Sequence, residues 1–505
     1  IHTCKKNMHY RSIIACMVSV ATAANAVAQQ THDLRHRLSD VENHEWTVYA
    51  NPALMEARHK TSFADAAVTF AHDSGDKAVT AQTGRAFNDA SFAASSYQRL
   101  GKGSAVWGKA AYHRRQTKGV EWNETSDFME VYPYVIADTV GGKMRRESYL
   151  FNIGYAQSRR HLSYGMEAEY QSAVEYRDID PRPKNNTIYA VFKAGVSVDI
   201  SDSHQTGAFI GWRHYSQQQN ITFMNPYGKI MLYQMSGLAM QYHRFAGTLG
   251  DANYTGNTWF GGLTLHPTNG NGVEAQLNIA RRSMQKQLSG LNNAPINDIA
   301  EWTYGGEAAM CREKGYARLQ VAYADRRGTE RIYDDGVHNY HQISATQLFR
   351  ATTLCGTAGA ARQWTWGKWT METTATVDVA SHKQTYTSPA RELSFTNLNP
   401  KIGLLAMWQT RNNLLTMRLS ETRQQNICRK LSIDEPGLFD KPLKALYDNY
   451  DMITAGAWTT SVSARYDIAM PRVVSTLYVC ANANYTALTG RHHRQGIDVS
   501  LGVTL

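Results

Sequence analysis

The stretch 495–505 alternates apolar and polar residues with almost no error. One parity holds Ile497, Val499, Leu501, Val503 and Leu505, and the other holds Asp498, Ser500, Gly502 and Thr504. Successive side chains of a β-strand point to opposite faces, so this segment has one apolar and one polar face. Segments of the same kind recur along most of the chain. The pattern predicts an all-β protein whose strands each separate an apolar from a polar environment.

Hydropathy indicates which environment covers the apolar face. The mean hydropathy is -0.46, and no apolar run of about eighteen residues follows residue 28, so membrane-spanning helices are excluded. A membrane barrel needs strands of only about ten residues with every second one apolar. The 28 Tyr and 11 Trp suit aromatic girdles at the two membrane interfaces. Since no linker divides the 505 residues, we predict one transmembrane antiparallel β-barrel over residues 61–505.

The amino-terminal region resembles an export signal. Lys5, Lys6 and Arg11 precede an apolar stretch at 13–24, and the small residues of 26–28 follow it. This layout predicts a signal peptide at residues 1–28, with Met8 as a plausible start and cleavage before Gln29. A lipoprotein signal ending at Cys16 is the alternative. The polar stretch 29–60 is then a periplasmic or lumenal segment, and the mature protein belongs in the cell outer membrane of a Gram-negative bacterium.

Connections between strands differ in length at the two ends of the predicted barrel. Short turns rich in Gly, Asn, Ser and Pro lie near 101–103, 158–160, 201–204, 266–272, 313–315, 367–368, 411–413 and 469–472. Long connections alternate with them at 116–145, 217–254, 285–298, 326–342, 382–397 and 424–451. Short periplasmic turns and long extracellular loops are typical of outer-membrane barrels. Assigning 78–87 to the first outer loop gives about 18 strands, with 16 to 20 as the range.

Charged residues recur on the strand face opposite the apolar one. Placing Arg or Lys on lipid costs about 2–4 kcal/mol at the bilayer midplane, so such residues are expected to face the interior. A solvated wall of mixed charge is the simpler interpretation, and a selective binding site is the alternative. The lumen-facing candidates are Glu167, Glu169, Lys193, Asp199, Arg213, Glu274, Arg282, Arg318, Arg418, Arg465 and Asp467.

Two resemblances to known families are visible. The segment Tyr49-Ala50-Asn51-Pro52-Ala53-Leu54 resembles the start of barrels of the long-chain fatty-acid transporter type, and of a related barrel that serves type IX secretion. That likeness implies that residues before Phe63 plug the lumen and that an apolar path opens sideways. The runs 96–100, 106–108, 126–134, 137–142 and 147–149 resemble an uncharacterised outer-membrane barrel family, known as a domain of unknown function. This second resemblance covers the mature chain and supports the barrel without supplying an activity.

Motifs of enzymes are not apparent. We find no phosphate-binding Gly-rich loop, zinc-helix motif, nucleophile elbow or clustered metal-ligand set. We therefore expect no catalytic residue, cofactor or metal, and no nucleic-acid partner for an exported chain. The net charge of +10 indicates either attraction to anionic solutes or to lipopolysaccharide beside the surrounding lipid, or a basic set of surface loops. The predicted function is a passive pore or transporter for small solutes. The alternative is a non-conducting barrel that serves as partner or scaffold in an envelope assembly for secretion or nutrient uptake. In that case the aromatic loops near 122–134 and 223–242 would dock another protein. An outer-membrane enzyme is the least favoured choice.

Overall fold

The computed structural model describes residues 27–43, 47–101, 103–225, 228, 230–242, 247, 250–334, 341–434, 440–470 and 474–505. Most of the predicted signal peptide and the turn at 471–473 lie outside these ranges. The main element is a barrel of eighteen antiparallel strands. Its strands are β1 Phe63–Gly75, β2 Ala86–Arg99, β3 Ser104–Val120, β4 Gly142–Arg159, β5 Leu162–Tyr176, β6 Arg182–Asp199, β7 His204–Thr222, β8 Ala252–Pro267, β9 Gly272–Leu288, β10 Ala294–Arg312, β11 Gly315–Tyr333, β12 Gln342–Trp366, β13 Trp369–Tyr386, β14 Arg391–Gln409, β15 Asn413–Ile433, β16 Ala457–Met470, β17 Val474–Leu488 and β18 His492–Thr504.

Each strand pairs with its neighbour in sequence, and the first pairs with the last. The closing ladder runs from Asp65 opposite Thr504 to Gly75 opposite Arg494. Closure gives every strand a partner on both sides, which is what a sheet needs in a bilayer where water cannot satisfy backbone groups. The prediction of a closed antiparallel barrel of about eighteen strands is confirmed.

The outer surface of the barrel is apolar. Phe70 is 64% exposed, Leu277 65% and Ile402 68%, although such side chains are normally buried in a water-soluble protein. Aromatic side chains border this belt: the Tyr112 and Tyr149 rings lie 5.0 Å apart on the side of the long loops, and Trp369 and Trp408 lie 6.5 Å apart beside the short turns. Lipid is the environment that fits such a surface, and the protein resides in the outer membrane.

Two of the six connections that were predicted to be long are short in the structure. The connection predicted at 285–298 consists of residues 289–293, and the one predicted at 382–397 consists of residues 387–390. The polar residues assigned to these loops continue the ladder, as in the pairs Gln285 with Asp298 and His382 with Phe395. The strands extend above the apolar belt, where both faces are polar and the period of two no longer shows in the sequence.

The remaining elements lie inside the barrel or across one mouth. Helices are α1 Val27–Leu38, α2 Met55–Arg58, α3 Phe128–Val131 and α4 Asp440–Thr454, with 3-10 turns at Thr47–Ala50, Pro52–Leu54, Ala81–Thr83 and Ser289–Leu291. A small sheet joins Ile136–Ala137, Tyr233–Gly237 and Met240–Gln241. Among the described residues, no helix is long and apolar enough to cross a membrane.

Candidate functional site

We call residues 32–58 the N-terminal segment. Its described residues, 32–43 and 47–58, lie inside the barrel beside the short turns. Leu34 is 3% exposed and packs against inward residues of β14 and β15. Arg418 of β15 donates a hydrogen bond to the carbonyl oxygen of Leu38 at 2.6 Å, and Arg37 pairs with Asp65 at the start of β1. The segment therefore contacts strands on both sides of the barrel seam.

A buried carboxylate of β13 holds the middle of this segment. Glu372 is 0% exposed and accepts hydrogen bonds from Ser39 Oγ at 2.5 Å, the Asp40 amide at 2.8 Å and the Val41 amide at 3.1 Å. Gln363 Nε2 donates to the same carboxylate at 3.0 Å. Hydrogen bonds to an ionised acceptor are roughly twice as strong as neutral ones. Glu372 is thus the main polar anchor of the segment.

The Asn-Pro-Ala motif docks against the wall where side chains are missing. Asn51 is 0% exposed, and its Nδ2 donates to the Val196 carbonyl at 3.1 Å and to Thr264 Oγ1 at 3.3 Å. A Cβ on Gly195 would lie 2.0 Å from Asn51 Oδ1, and one on Gly207 would lie 2.6 Å from Nδ2. Glycine at these two wall positions is what allows the asparagine to approach the strands.

The inner loop, residues 121–141, folds back into the barrel from the opposite rim. Gln219 Nε2 donates to the Glu124 carbonyl at 3.0 Å. Arg213 and Arg282 each contact the Glu130 carboxylate at 3.1 Å. Apolar packing joins the loop to the wall through Val131, Tyr134, Val135, Ile136, Tyr215, Tyr254, Met284 and Leu288.

A buried cation holds the two ends of the inner loop. Arg177 contacts Glu124 at 2.7 Å and also pairs with Asp138. The exposed fraction is 1% for the Arg177 side chain and 0% for each of the two carboxylate side chains. Burial raises the pKa of Glu124 well above its ordinary value, and the neighbouring Asp138 carboxyl adds to the shift. Burial also acts to raise the pKa of Asp138, but hydrogen bonding with Glu124 and the charge of Arg177 outweigh it and lower that pKa. Burial and the contact with Asp138 thus favour the neutral form of Glu124, whereas the contact with Glu124 and the charge of Arg177 favour the charged form of Asp138.

A cavity of about 540 Å³ lies under the long loops. Its walls come from the inner loop, the connection around 235–239, α4 and the inward faces of β10 to β14. Helix α4 closes its outer side: Tyr450 Oη donates to the Ser394 carbonyl at 3.1 Å, and the Asn449 amide contacts Gln82 Oε1 at 2.8 Å. Within the described ranges, no three His, Cys, Asp or Glu side chains cluster as metal ligands.

The predicted lumen-facing residues all lie on the strand face opposite the exposed apolar side chains. The structure pairs Lys193 with Glu167 at 2.6 Å and Arg465 with Asp467 at 2.7 Å. Their neighbours differ, so they do not form one common site. The other placements are Glu169 beside Asn152, Asp199 beside His161, Glu274 beside His266, Arg213 and Arg282 at the inner loop, Arg418 at the N-terminal segment, and Arg318 on the inner face of β11.

Two aromatic residues of the predicted docking loop near 122–134 are buried. Trp122 is 9% exposed and Tyr134 1%, because both pack within the barrel. Sequence reasoning also missed the acids Glu124 and Glu130 and the anchor Glu372. No local pattern distinguishes these residues, whereas the motif around Asn51 was a visible signal for the segment that fills the other end.

Comparisons with known proteins identify a family and no activity. No curated protein matches the chain. Among solved structures, the ferric preacinetobactin receptor BauA from Acinetobacter baumannii shares 11% identity, with 88% of this chain and 80% of that chain covered and a TM-score of 0.39. The ferric-catecholate import receptor Fiu from E. coli K12 shares 8% identity, with 88% and 82% covered and a TM-score of 0.39. Similarity at this level says nothing about function, and the resemblance to fatty-acid transporters stays a prediction.

The family model extends over the whole barrel and over the Pro52 and Ala53 part of the docked motif. It begins at Pro52, inside that motif, and ends at Leu505, the final residue of the printed sequence. Its match to residues 52–505 shows that the chain belongs to the Family of unknown function (DUF6850).

Proposed function

We propose that this protein is a barrel closed at rest that works with an envelope partner in nutrient uptake or secretion, rather than a passive pore. The observation that carries the proposal is the double filling of the lumen. The N-terminal segment occupies the end with the short turns, and the inner loop occupies the end with the long loops.

The inner wall between these two fillings is polar and exposed. Asn278, Cys355 and Lys401 lie on the inward face and are exposed, which indicates a chamber between the two obstructions. A solute crossing the barrel would have to displace both. Because each obstruction is held by several buried charged contacts, opening requires an external input, and a protein partner acting at the short-turn rim would supply it.

Planar-bilayer conductance of the purified full chain tests the proposal. We expect no discrete ohmic steps from the full chain, and steps from a variant lacking residues 32–58 and 121–141, provided that its heat-modifiable gel mobility shows a folded barrel. Discrete steps from the unaltered chain would support the passive pore instead. Co-purification of an envelope protein with the silent barrel would support the partner role.

Cys355 offers a second measurement that does not depend on conductance. In a variant with Cys311, Cys428 and Cys480 replaced by Ser, we expect slow labelling of Cys355 by a bulky maleimide in a lipid bilayer. Removal of residues 32–58 should speed labelling from the side of the short turns. Fast labelling of the intact barrel would show that the lumen is already open. The same proposal holds that the barrel contacts the surrounding lipid and lipopolysaccharide and that it has no catalytic role.

A further inference from the structure

We propose that the cavity beneath α4 is a binding site for a neutral, largely apolar, ring-bearing small molecule. The site goes beyond the proposed function, because it requires neither conductance nor a partner. Its volume of about 540 Å³ falls within the range of about 300–1,000 Å³ that is usual for small-molecule pockets.

The lining is rich in side chains that suit flat apolar ligands. Aromatic rings and methionines dominate the side facing the loops, and methionine adapts its shape to a ligand. Met129 is 66% exposed although it lies on the inner loop, so a large apolar side chain is left uncovered at this site. The lining residues of this kind are Trp122, Phe128, Met129, Tyr132, Met235 and Tyr450.

The polar wall of the cavity is already satisfied. His382 Nδ1 contacts Thr353 Oγ1 at 2.8 Å, and its Nε2 contacts Gln384 Nε2 at 2.7 Å. With the amide nitrogen donating to Nε2, the imidazole is neutral and Nδ1 carries the proton. Gln384 Oε1 in turn accepts from Tyr132 Oη at 2.6 Å. A ligand therefore meets few free polar atoms here.

The charges of the lining cancel. Among the described lining residues, the charged ones are Glu301 and Arg326, and they pair with each other. Arg326 also donates to the carbonyl oxygens of Met129 and Tyr132 at 2.9 and 2.8 Å. An anionic ligand would have to break this arrangement, and a buried unpaired charge is costly. The site therefore selects for a neutral ligand.

Two probes with similar ring systems and different charge test this inference. The full chain in lipid nanodiscs is dialysed against N-phenyl-1-naphthylamine, which is neutral, and against 1-anilinonaphthalene-8-sulfonate, which is anionic. Empty nanodiscs measure the amount of each probe that partitions into lipid, and this amount is subtracted. We expect saturable binding of one neutral probe per barrel, and affinity for the anionic probe at least about tenfold weaker, which corresponds to about 1.4 kcal/mol. Absence of saturable binding, or tighter binding of the anion, would overturn the inference.

Matched variants locate the probe. Ala380→Phe fills the cavity from β13, whereas Ala375→Phe makes the same change on the lipid-facing side of the same strand. The first should abolish saturable binding and the second should leave it unchanged. Leu446→Trp on α4 fills the cavity without altering a barrel strand, so this variant replaces Ala380→Phe in the binding measurement if Ala380→Phe does not fold. Binding retained in a folded filled variant would refute the site, whereas a conducting barrel that still binds the probe would refute only the proposed function.

Discussion

Replacing Glu372 with alanine tests whether one buried carboxylate holds the N-terminal segment in the lumen. The carboxylate accepts hydrogen bonds from the amides of Asp40 and Val41 at 2.8 and 3.1 Å. Hydrogen bonds to a charged group contribute about 1.5–3 kcal/mol each, so these two stabilise the docked segment by about 3–6 kcal/mol. Since about 1.4 kcal/mol is a factor of ten, local opening should become at least about 100-fold more favourable.

Hydrogen exchange followed by mass spectrometry measures this opening directly. In the Glu372→Ala barrel in nanodiscs, a peptide covering 37–43 should exchange at least about 100-fold faster than in the unaltered protein. Glu169→Ala is the matched control, because it removes another inward carboxylate whose neighbour is Asn152 of the adjacent wall strand. Exchange at 37–43 should not change in that control.

The reasoning would be refuted by a small effect in a folded variant. If Glu372→Ala keeps its heat-modifiable mobility and exchange at 37–43 stays within about threefold of the unaltered protein, the carboxylate contributes less than about 0.7 kcal/mol. The segment would then be held by its apolar contacts and by Arg418. An equal acceleration in Glu169→Ala would show a general loosening of the lumen instead.

Three further predictions concern the inner loop and the docked motif. Arg177→Met leaves two buried carboxyls without their cation and should destabilise the inner loop by about 3–5 kcal/mol, measured as faster proteolysis within 121–141. The raised pKa of Glu124 means that its contribution to stability is present at low pH and lost as pH rises through that pKa. Glu124→Gln should therefore protect the loop from proteolysis at any pH above that pKa. The lowered pKa of Asp138 predicts that the loop loosens in both the unaltered protein and the Glu124→Gln variant as pH falls through the pKa of Asp138. Gly195→Ala should displace the docked motif at a cost of about 1–3 kcal/mol, seen as faster exchange at 50–54, whereas Gly356→Ala, where the nearest atom to a new Cβ is 3.9 Å away, should have no such effect.

The barrel could be predicted because lipid imposes a period of two on each strand. Val499 and Leu501 are 43% and 56% exposed, and the alternation that placed them outside is legible in the sequence itself. The same signal fails above the apolar belt, where Gln285 and Asp298 pair in the ladder. Both faces are polar there, so the sequence could not distinguish a continuing strand from a loop.

The filling of the lumen could be predicted only at one end. Asn51 belongs to a motif that indicated a lumenal segment, although the wall glycines that receive it carry no recognisable pattern. The inner loop is fixed by contacts between distant parts of the chain, such as Arg282 Nη2 with the carbonyl oxygen of Glu130, which lie 152 residues apart. Such contacts depend on the closed barrel and leave no local trace in the sequence.

The seam of the barrel has a consequence for how the protein is made. Asp65 and Thr504 accept and donate a hydrogen bond across the seam although 439 residues separate them. Contacts between segments so distant form slowly, and until they form, the sheet has two unpaired edges. The ring cannot close while the intervening chain is still leaving the ribosome or crossing the inner membrane. The cell must therefore keep a long, edge-bearing intermediate from aggregating until both seam strands reach the same place.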